Sequence, residues 1–223
     1  MRHALGQLYQ ETHLVVESEG RQLAIPGFDP APEGELRQRD VRFTPRSLAR
    51  SLVEAALRSM AVPNGLPPRL TILDPACGSG VFLIESIGAL LALGFSGHVT
   101  LRGLDISRLS VDMARFALGH AARDAQGQGL RVDFVVEEVD SLTVVWDEAD
   151  IVVTNPPFVP WVAMTASDQD LVKGVLGPSS RGRVDKAMAF LAKAGDSRRG
   201  ATVVASVLPA ALLETELSTT AQY

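Results

Sequence analysis

Cysteine is almost missing from this sequence: Cys77 stands alone in 223 residues, so no internal disulfide can staple the fold. Histidine is nearly as scarce, with His3, His13, His98 and His120 scattered at spacings that do not make a metal-ligand set, and no structural metal is expected. Long apolar runs are missing too. The longest, from Val81 to Phe95, is broken by Glu85, Ser86 and glycines and falls short of the roughly 20 residues that span a bilayer. The opening segment MRHALGQLYQETH lacks the apolar core and small-residue cleavage site of a secretory signal, so a cytoplasmic protein without a membrane segment is expected. An excess of positive charge is also absent. The 21 basic residues are outnumbered by 26 acidic ones, a net charge of −5, which argues against a phosphate-binding surface spread over the whole chain. Local basic faces remain open to Arg37, Arg39, Arg42, Arg46 and Arg50, and to Arg181, Arg183 and Lys186.

With 46% hydrophobic residues, the chain can bury one sizeable core. From Leu70 onward, short apolar runs at Leu70–Leu73, Val99–Leu104, Val132–Val136, Ile151–Val153 and Ala201–Val207 alternate with helical patterns at Val81–Leu93 and Val111–Ala122. That alternation predicts an α/β fold with a doubly wound, mostly parallel sheet. Ser107 or Ser110 is the expected N-cap of the second helix. Ahead of the sheet, Leu48, Leu52, Val53, Ala56 and Leu57 have the spacing of one helix face, with Thr44 placed as N-cap and Pro45 at the first helical position. Residues 61–69 are a turn-rich link, and about 19–39 read as a loop rich in proline, glycine and charge. The expected division is an N-terminal extension over 1–42 and a main domain over 43–223.

Four chemistry-bearing segments follow strand ends. Asp74-Pro75-Ala76-Cys77-Gly78-Ser79-Gly80 runs from a strand through a glycine-bearing loop into a helix. Glycines let the backbone approach a ligand, and the helix start offers free N–H groups, so a nucleotide-like ligand fits there; a tight turn without ligand is the plainer alternative. The second strand ends at Asp105, where a carboxylate can accept both hydroxyls of a ribose or cap the helix that follows. Asp140, after the third strand, can accept an adenine amino group, with Glu137 and Glu138 as competitors. The fourth strand empties into Asn155-Pro156-Pro157-Phe158. Two prolines hold the chain extended and remove two donors, leaving the Asn155 amide oxygen and the Pro156 carbonyl to accept from a substrate –NH2. Phe158 offers a face on which an extruded base can stack. Trp161 is a better candidate platform than Trp146, which reads as core.

Taken together, Phe43-Thr44-Pro45, the Asp-Pro-Ala-Cys-Gly-Ser-Gly loop, Asp105 and Asn-Pro-Pro-Phe, in that order, resemble the N6-adenine DNA methyltransferases of type I and type II restriction-modification systems. Leu5-Gly6-Gln7-Leu8-Tyr9 is similar to a segment preceding Phe-Thr-Pro in larger members, and Asp185–Leu213 looks like their strand-turn-strand close. The resemblance implies a Rossmann-like class I fold with an N-terminal helical extension. It also implies S-adenosylmethionine as cofactor and methyl transfer to N6 of an adenine flipped out of DNA, in a restriction-modification or phage-defence setting. Phe43, Thr44 and Pro45 would cover the methionine end of that cofactor. Asp74, Ala76, Cys77 and Gly78 would line its methionine and ribose, Asp105 and Ile106 its ribose region, and Asp140 its adenine. Asn155 would lie at the junction with the target base, which Asn155, Pro156, Pro157 and Phe158 would hold. Cys77 is then a small loop residue, not a nucleophile.

Family members continue into a target-recognition domain, whereas this sequence reaches Tyr223 inside an expected helix that starts near Pro209. The expectation is a catalytic domain whose DNA specificity comes from a domain or subunit elsewhere. Related enzymes that modify RNA bases or a glutamine amide use similar logic but favour Asn-Pro-Pro-Tyr without Phe-Thr-Pro. A cofactor-binding subunit without turnover is the alternative from another class.

Overall fold

The computed structural model describes residues 44–62, 64–146, 148–177, 184–195 and 203–209. Five strands, β1 (Arg69–Asp74), β2 (His98–Asp105), β3 (Arg131–Glu138), β4 (Ile151–Thr154) and β5 (Val203–Ser206), form one sheet in the order β3-β2-β1-β4-β5. Every neighbouring pair is parallel. The chain builds outward from β1 through β2 to β3, then returns to the other side of β1 at β4. The seam between β1 and β4 is therefore the point where strand order reverses, and ligands of open α/β sheets bind at the carboxyl ends of the strands flanking such a seam.

Parallel strands with both faces covered are apolar on both faces, which is why Ile151–Val153 lacks polar alternation. Ile72, Val99, Leu101, Ile151 and Val153 pack into one core with α1 (Arg46–Ala61), α2 (Val81–Ala92) and α3 (Arg108–Gly127). The neighbouring strand residues Leu73, Leu104 and Val152 project the other way. They join Leu142, Trp146 and residues of α4 (Ala166–Leu176) and α5 (Lys186–Gly195) in a second core. Trp146 is buried there, its ring N–H donating to the Ser141 carbonyl at 2.7 Å.

Most expected elements stand where the periodicity puts them, and Ser107 is the cap of α3, accepting from Ser110 N. Three points differ. The N-cap of α1 is Pro45, with no side-chain cap; the Thr44 hydroxyl is engaged elsewhere. The region expected as a strand-turn-strand close begins with a helix, because Lys186–Gly195 is an alanine-rich run whose Ala187, Phe190 and Ala194 fall on one buried face. A short 3-10 turn at Trp161–Ala163 and helix α4, capped by Thr165, fill a stretch for which periodicity offered no element. Phe43, the extension over 1–42, the Arg181–Arg183 cluster and the helix expected beyond Pro209 lie outside the described residues.

Candidate active site

Because all five strands run the same way, Asp74, Asp105, Glu138 and Thr154 all end up at one edge of the sheet. The N–H groups of the loop after β1 are held at that edge by carboxylate and carbonyl oxygens. Asp74 Oδ1 accepts from Ala76 N at 3.2 Å, Cys77 N donates to Leu104 O at 3.0 Å, and Gly80 N donates to Cys77 O at 2.8 Å. Gly78 and Gly80 adopt φ of +51° and +85°, the left-handed region that glycine enters without penalty. At Gly80 a Cβ would also sit 3.2 Å from Ala114 Cβ, so α2 and α3 pack closely at this point.

Gly103, on β2, does not show its role in the sequence. A Cβ there would lie 2.9 Å from Cys77 Sγ and 3.1 Å from Leu83 Cδ1. Its missing side chain is what makes room for the cysteine. Cys77 is buried, and burial first, then the charges of Asp74 and Asp105, pushes its thiol above the ordinary range. A thiol held protonated this firmly is a packing group, not a nucleophile.

Asp105 uses both carboxylate oxygens. Oδ2 accepts from Gly78 N at 2.9 Å, and Oδ1 accepts from Ser107 N at 2.8 Å. The cap and the ligand roles are therefore compatible: one carboxylate ties the glycine loop to the start of α3, and its remaining lone pairs stay available to a diol. Ile106 beside it is 58% exposed, an apolar side chain left facing solvent at the rim.

Asp140 is drawn towards Asp105 by the bond from Val139 N to Asp105 O at 2.8 Å. Its Oδ1 accepts from Leu142 N at 3.0 Å, and Lys193 of α5 locks the same turn by donating to the Ser141 and Leu142 carbonyls at 2.9 and 2.8 Å. The competing acids are occupied: Glu137 pairs with Arg102 at 3.9 Å and Glu138 with Arg108 at 3.6 Å.

At the β1–β4 seam, three buried side-chain oxygens have no hydrogen-bond partner among the described residues: Asp74 Oδ2, Thr154 Oγ1 and Asn155 Oδ1. An unpaired buried polar atom costs roughly 1–3 kcal/mol, so these oxygens at adjacent strand ends call for partners that the described residues do not supply. Asp74 is fully buried. That burial pushes its carboxyl up to about 7, offset in part by the Ala76 N–H and the neighbouring Thr154 hydroxyl, whose geometry falls short of a hydrogen bond. Asn155 Nδ2 donates to Thr44 Oγ1 at 3.0 Å. Pro156 is buried and Pro157 exposed, with Phe158 half-buried after them. Trp161 lies just beyond, its ring under the Lys173 ammonium at 5.1 Å and its carbonyl accepting from Gln169.

The structure thus brings Thr44, Asp74, Ala76, Cys77, Gly78, Asp105, Asp140 and Asn155 to one sheet edge, and leaves Phe43 outside the described residues. Arg46 and Arg50 do not form a free basic face, because they reach Glu85 and Glu54. A depression of about 600 Å³ lined by Ala61, Leu66, Pro68, Phe95 and Arg131 opens at the opposite edge and includes none of these residues. Among the described residues, no group of acids, histidine or cysteine is placed to hold a metal, and no helix is long and apolar enough to cross a membrane.

A family model described as N-6 DNA Methylase matches residues 37–212. A solved structure from Listeria monocytogenes, assigned provisionally to the class I S-adenosylmethionine-dependent methyltransferases, is similar over 84% of this chain and 52% of its own, with 20% identity and a TM-score of 0.56. A type I restriction-modification methyltransferase subunit from Streptococcus thermophilus matches over 68% of this chain and 31% of its own, with 18% identity and a TM-score of 0.41. The chain spans about half the length of the first of these structures. Comparison with curated proteins gives no match.

Proposed function

The chain belongs to the N-6 DNA methylase family, and from that premise we propose that it transfers a methyl group from S-adenosylmethionine to the exocyclic N6 of adenine in DNA. The observation that carries the proposal is the buried Asn155 Oδ1, which like Asp74 Oδ2 on the neighbouring strand end has no hydrogen-bond partner among the described residues. The residues present fit the cofactor. Gly78 and Gly80 open the loop to close approach, Asp105 stands at the end of β2, and Asp74 offers a desolvated carboxylate oxygen to an ammonium group. Bound there, the cofactor would supply an electrophilic methyl on a sulfonium.

The chain's own part is to hold and orient the amine. An adenine amino nitrogen is a weak nucleophile because its lone pair is delocalised into the ring. Accepting hydrogen bonds from its two N–H groups at Asn155 Oδ1 and the Pro156 carbonyl raises electron density on nitrogen and draws the lone pair out of conjugation with the ring, with no strong base required. After transfer the nitrogen carries the methyl group, both of its original protons and a positive charge, the donor sulfur being left as a neutral thioether, and one of those two protons leaves to solvent. Phe158 stacks on the base and Pro157 keeps the loop extended. The catalytic residues are therefore Asn155, Pro156, Pro157 and Phe158. Thr44, Pro45, Asp74, Ala76, Cys77, Gly78, Asp105, Ile106 and Asp140 hold the cofactor, with Phe43 assigned by resemblance alone.

Sequence choice is assigned to a target-recognition domain or partner subunit, as part of a restriction-modification or phage-defence system acting in the cytoplasm. The net charge of −5 supports a weak intrinsic hold on DNA. Incubation of the chain with tritiated S-adenosylmethionine and a panel of duplex DNA, RNA and glutamine-containing peptide tests the reading. Label in N6-methyladenine from DNA is expected. Label appearing instead in RNA or peptide would move the substrate class, and binding of cofactor without label anywhere would leave a cofactor-binding subunit.

A further inference from the structure

We propose that Thr44 is a positioning residue for Asn155, holding its side-chain amide at the end of β4 with the oxygen left for the substrate; this rests on the proposed function. An asparagine amide has two nearly isosteric orientations, and only one presents oxygen to an incoming –NH2. Turned over, it would offer a second donor to a donor. Here Nδ2 donates to Thr44 Oγ1 at 3.0 Å, across 111 positions of sequence, and Oδ1 is left buried and unpaired. The hydroxyl is not spent on capping, since the N-cap of α1 is Pro45 and no side chain caps the helix.

The arm that carries Thr44 is itself held. Arg46, two residues on, reaches Glu85 Oε1 through Nε and Nη2, both at 2.8 Å, and Glu85 is only 4% exposed in α2, the helix that follows the glycine loop. Ala49 N closes the first turn onto Pro45 O at 3.0 Å. The glycine-loop helix therefore anchors the segment that orients the base acceptor, so cofactor loop and acceptor share one frame.

The test uses the full chain as wild type, Thr44→Val, which keeps the shape and loses the acceptor, and Thr44→Ser, which restores it. Three quantities are measured: solvent exchange of the Asn155 side-chain NH2 by NMR, assigned with Asn155→Asp; the Kd for S-adenosylmethionine; and kcat for methyl transfer to adenine-containing DNA. Exchange should be slow in wild type and Thr44→Ser, and at least about 10-fold faster in Thr44→Val. kcat at saturating S-adenosylmethionine should fall about 30- to 100-fold in Thr44→Val, more than any weakening of Kd, and Thr44→Ser should recover most of the loss. Unchanged exchange in Thr44→Val overturns the inference, as does a Kd that weakens in step with kcat, because Thr44 would then be a cofactor ligand only. A protected amide in a wild-type chain that methylates nothing overturns the proposed function, while the exchange data still decide the hydrogen bond.

Discussion

Asp74→Asn is the substitution whose consequences can be worked furthest from the structure. The carboxyl is fully buried, mainly for that reason titrates near 7 instead of 3.8, and leaves Oδ2 without a partner. A folded-state value above the unfolded one means that the native protein keeps a proton the unfolded chain has already lost. The stabilisation from that proton is fully present below pH 3.8 and is lost as pH rises to about 7. At about 1.4 kcal/mol per pH unit, the cost of the buried charge above pH 7 is about 4 kcal/mol before relaxation. Asparagine keeps an acceptor for the Ala76 N–H and carries no charge. Relative to wild type it should therefore gain about 2–4 kcal/mol at pH 8 and about 1–2 kcal/mol at pH 5. Urea unfolding of both proteins at the two pH values measures this. An equal difference at pH 5 and pH 8 would refute the account of Asp74.

The same carboxyl makes a second, functional demand. If its unpaired oxygen faces the ammonium of S-adenosylmethionine, binding stabilises the ionised form, and near pH 6 the complex must release the proton that the free protein holds. Calorimetric titration in two buffers of different ionisation enthalpy reads that proton directly. Release is expected from wild type, with none from Asp74→Asn, whose affinity should fall about 10- to 100-fold through loss of a charge-assisted bond. Proton uptake by the wild type, or unaltered affinity in the variant, would remove Asp74 from the cofactor site.

Asn155→Ala should lower methyl transfer by about 10³-fold or more while changing the cofactor Kd by only a few-fold; single-turnover transfer beside calorimetry checks the split, and joint loss of both would break the division of labour between the loop and the Asn-Pro-Pro-Phe segment. Asp105→Ala removes the acceptor of Gly78 N and Ser107 N, so it should both destabilise the fold by about 2–4 kcal/mol and weaken cofactor binding about 10- to 100-fold; an unchanged Kd would take Asp105 off the ribose. Gly103→Ala drives a methyl group to 2.9 Å from Cys77 Sγ and should cost about 1–3 kcal/mol by overpacking, part of which Cys77→Ala should return in a double-mutant cycle of chemical unfolding.

The sheet was readable because apolar runs of strand length alternate with helix-period segments, and the β1–β4 seam follows from that order. The glycine loop and the Asn-Pro-Pro-Phe loop were readable for a different reason: glycine, proline and a carboxylate at a strand end are local signals that keep their meaning before any fold is built. What escaped depended on partners far away in sequence. Thr44 looks like a cap because threonine before Pro-Arg-Ser has the right local chemistry; only the return of β4 beside β1 brings Asn155 to its hydroxyl instead. Gly103 looks like one more small residue in a strand until Cys77 folds against it. Arg46 and Arg50 read as a basic patch because nothing local shows Glu85 emerging from α2 beneath them. In each case the deciding neighbour lies on another element, so the sequence carried the identity of both groups but not their meeting. The parts are thus local and their meetings tertiary: the loops carry Asp74, Asp105 and Asn155, and the contacts of Thr44 with Asn155, Gly103 with Cys77 and Glu85 with Arg46 form only once the sheet is assembled.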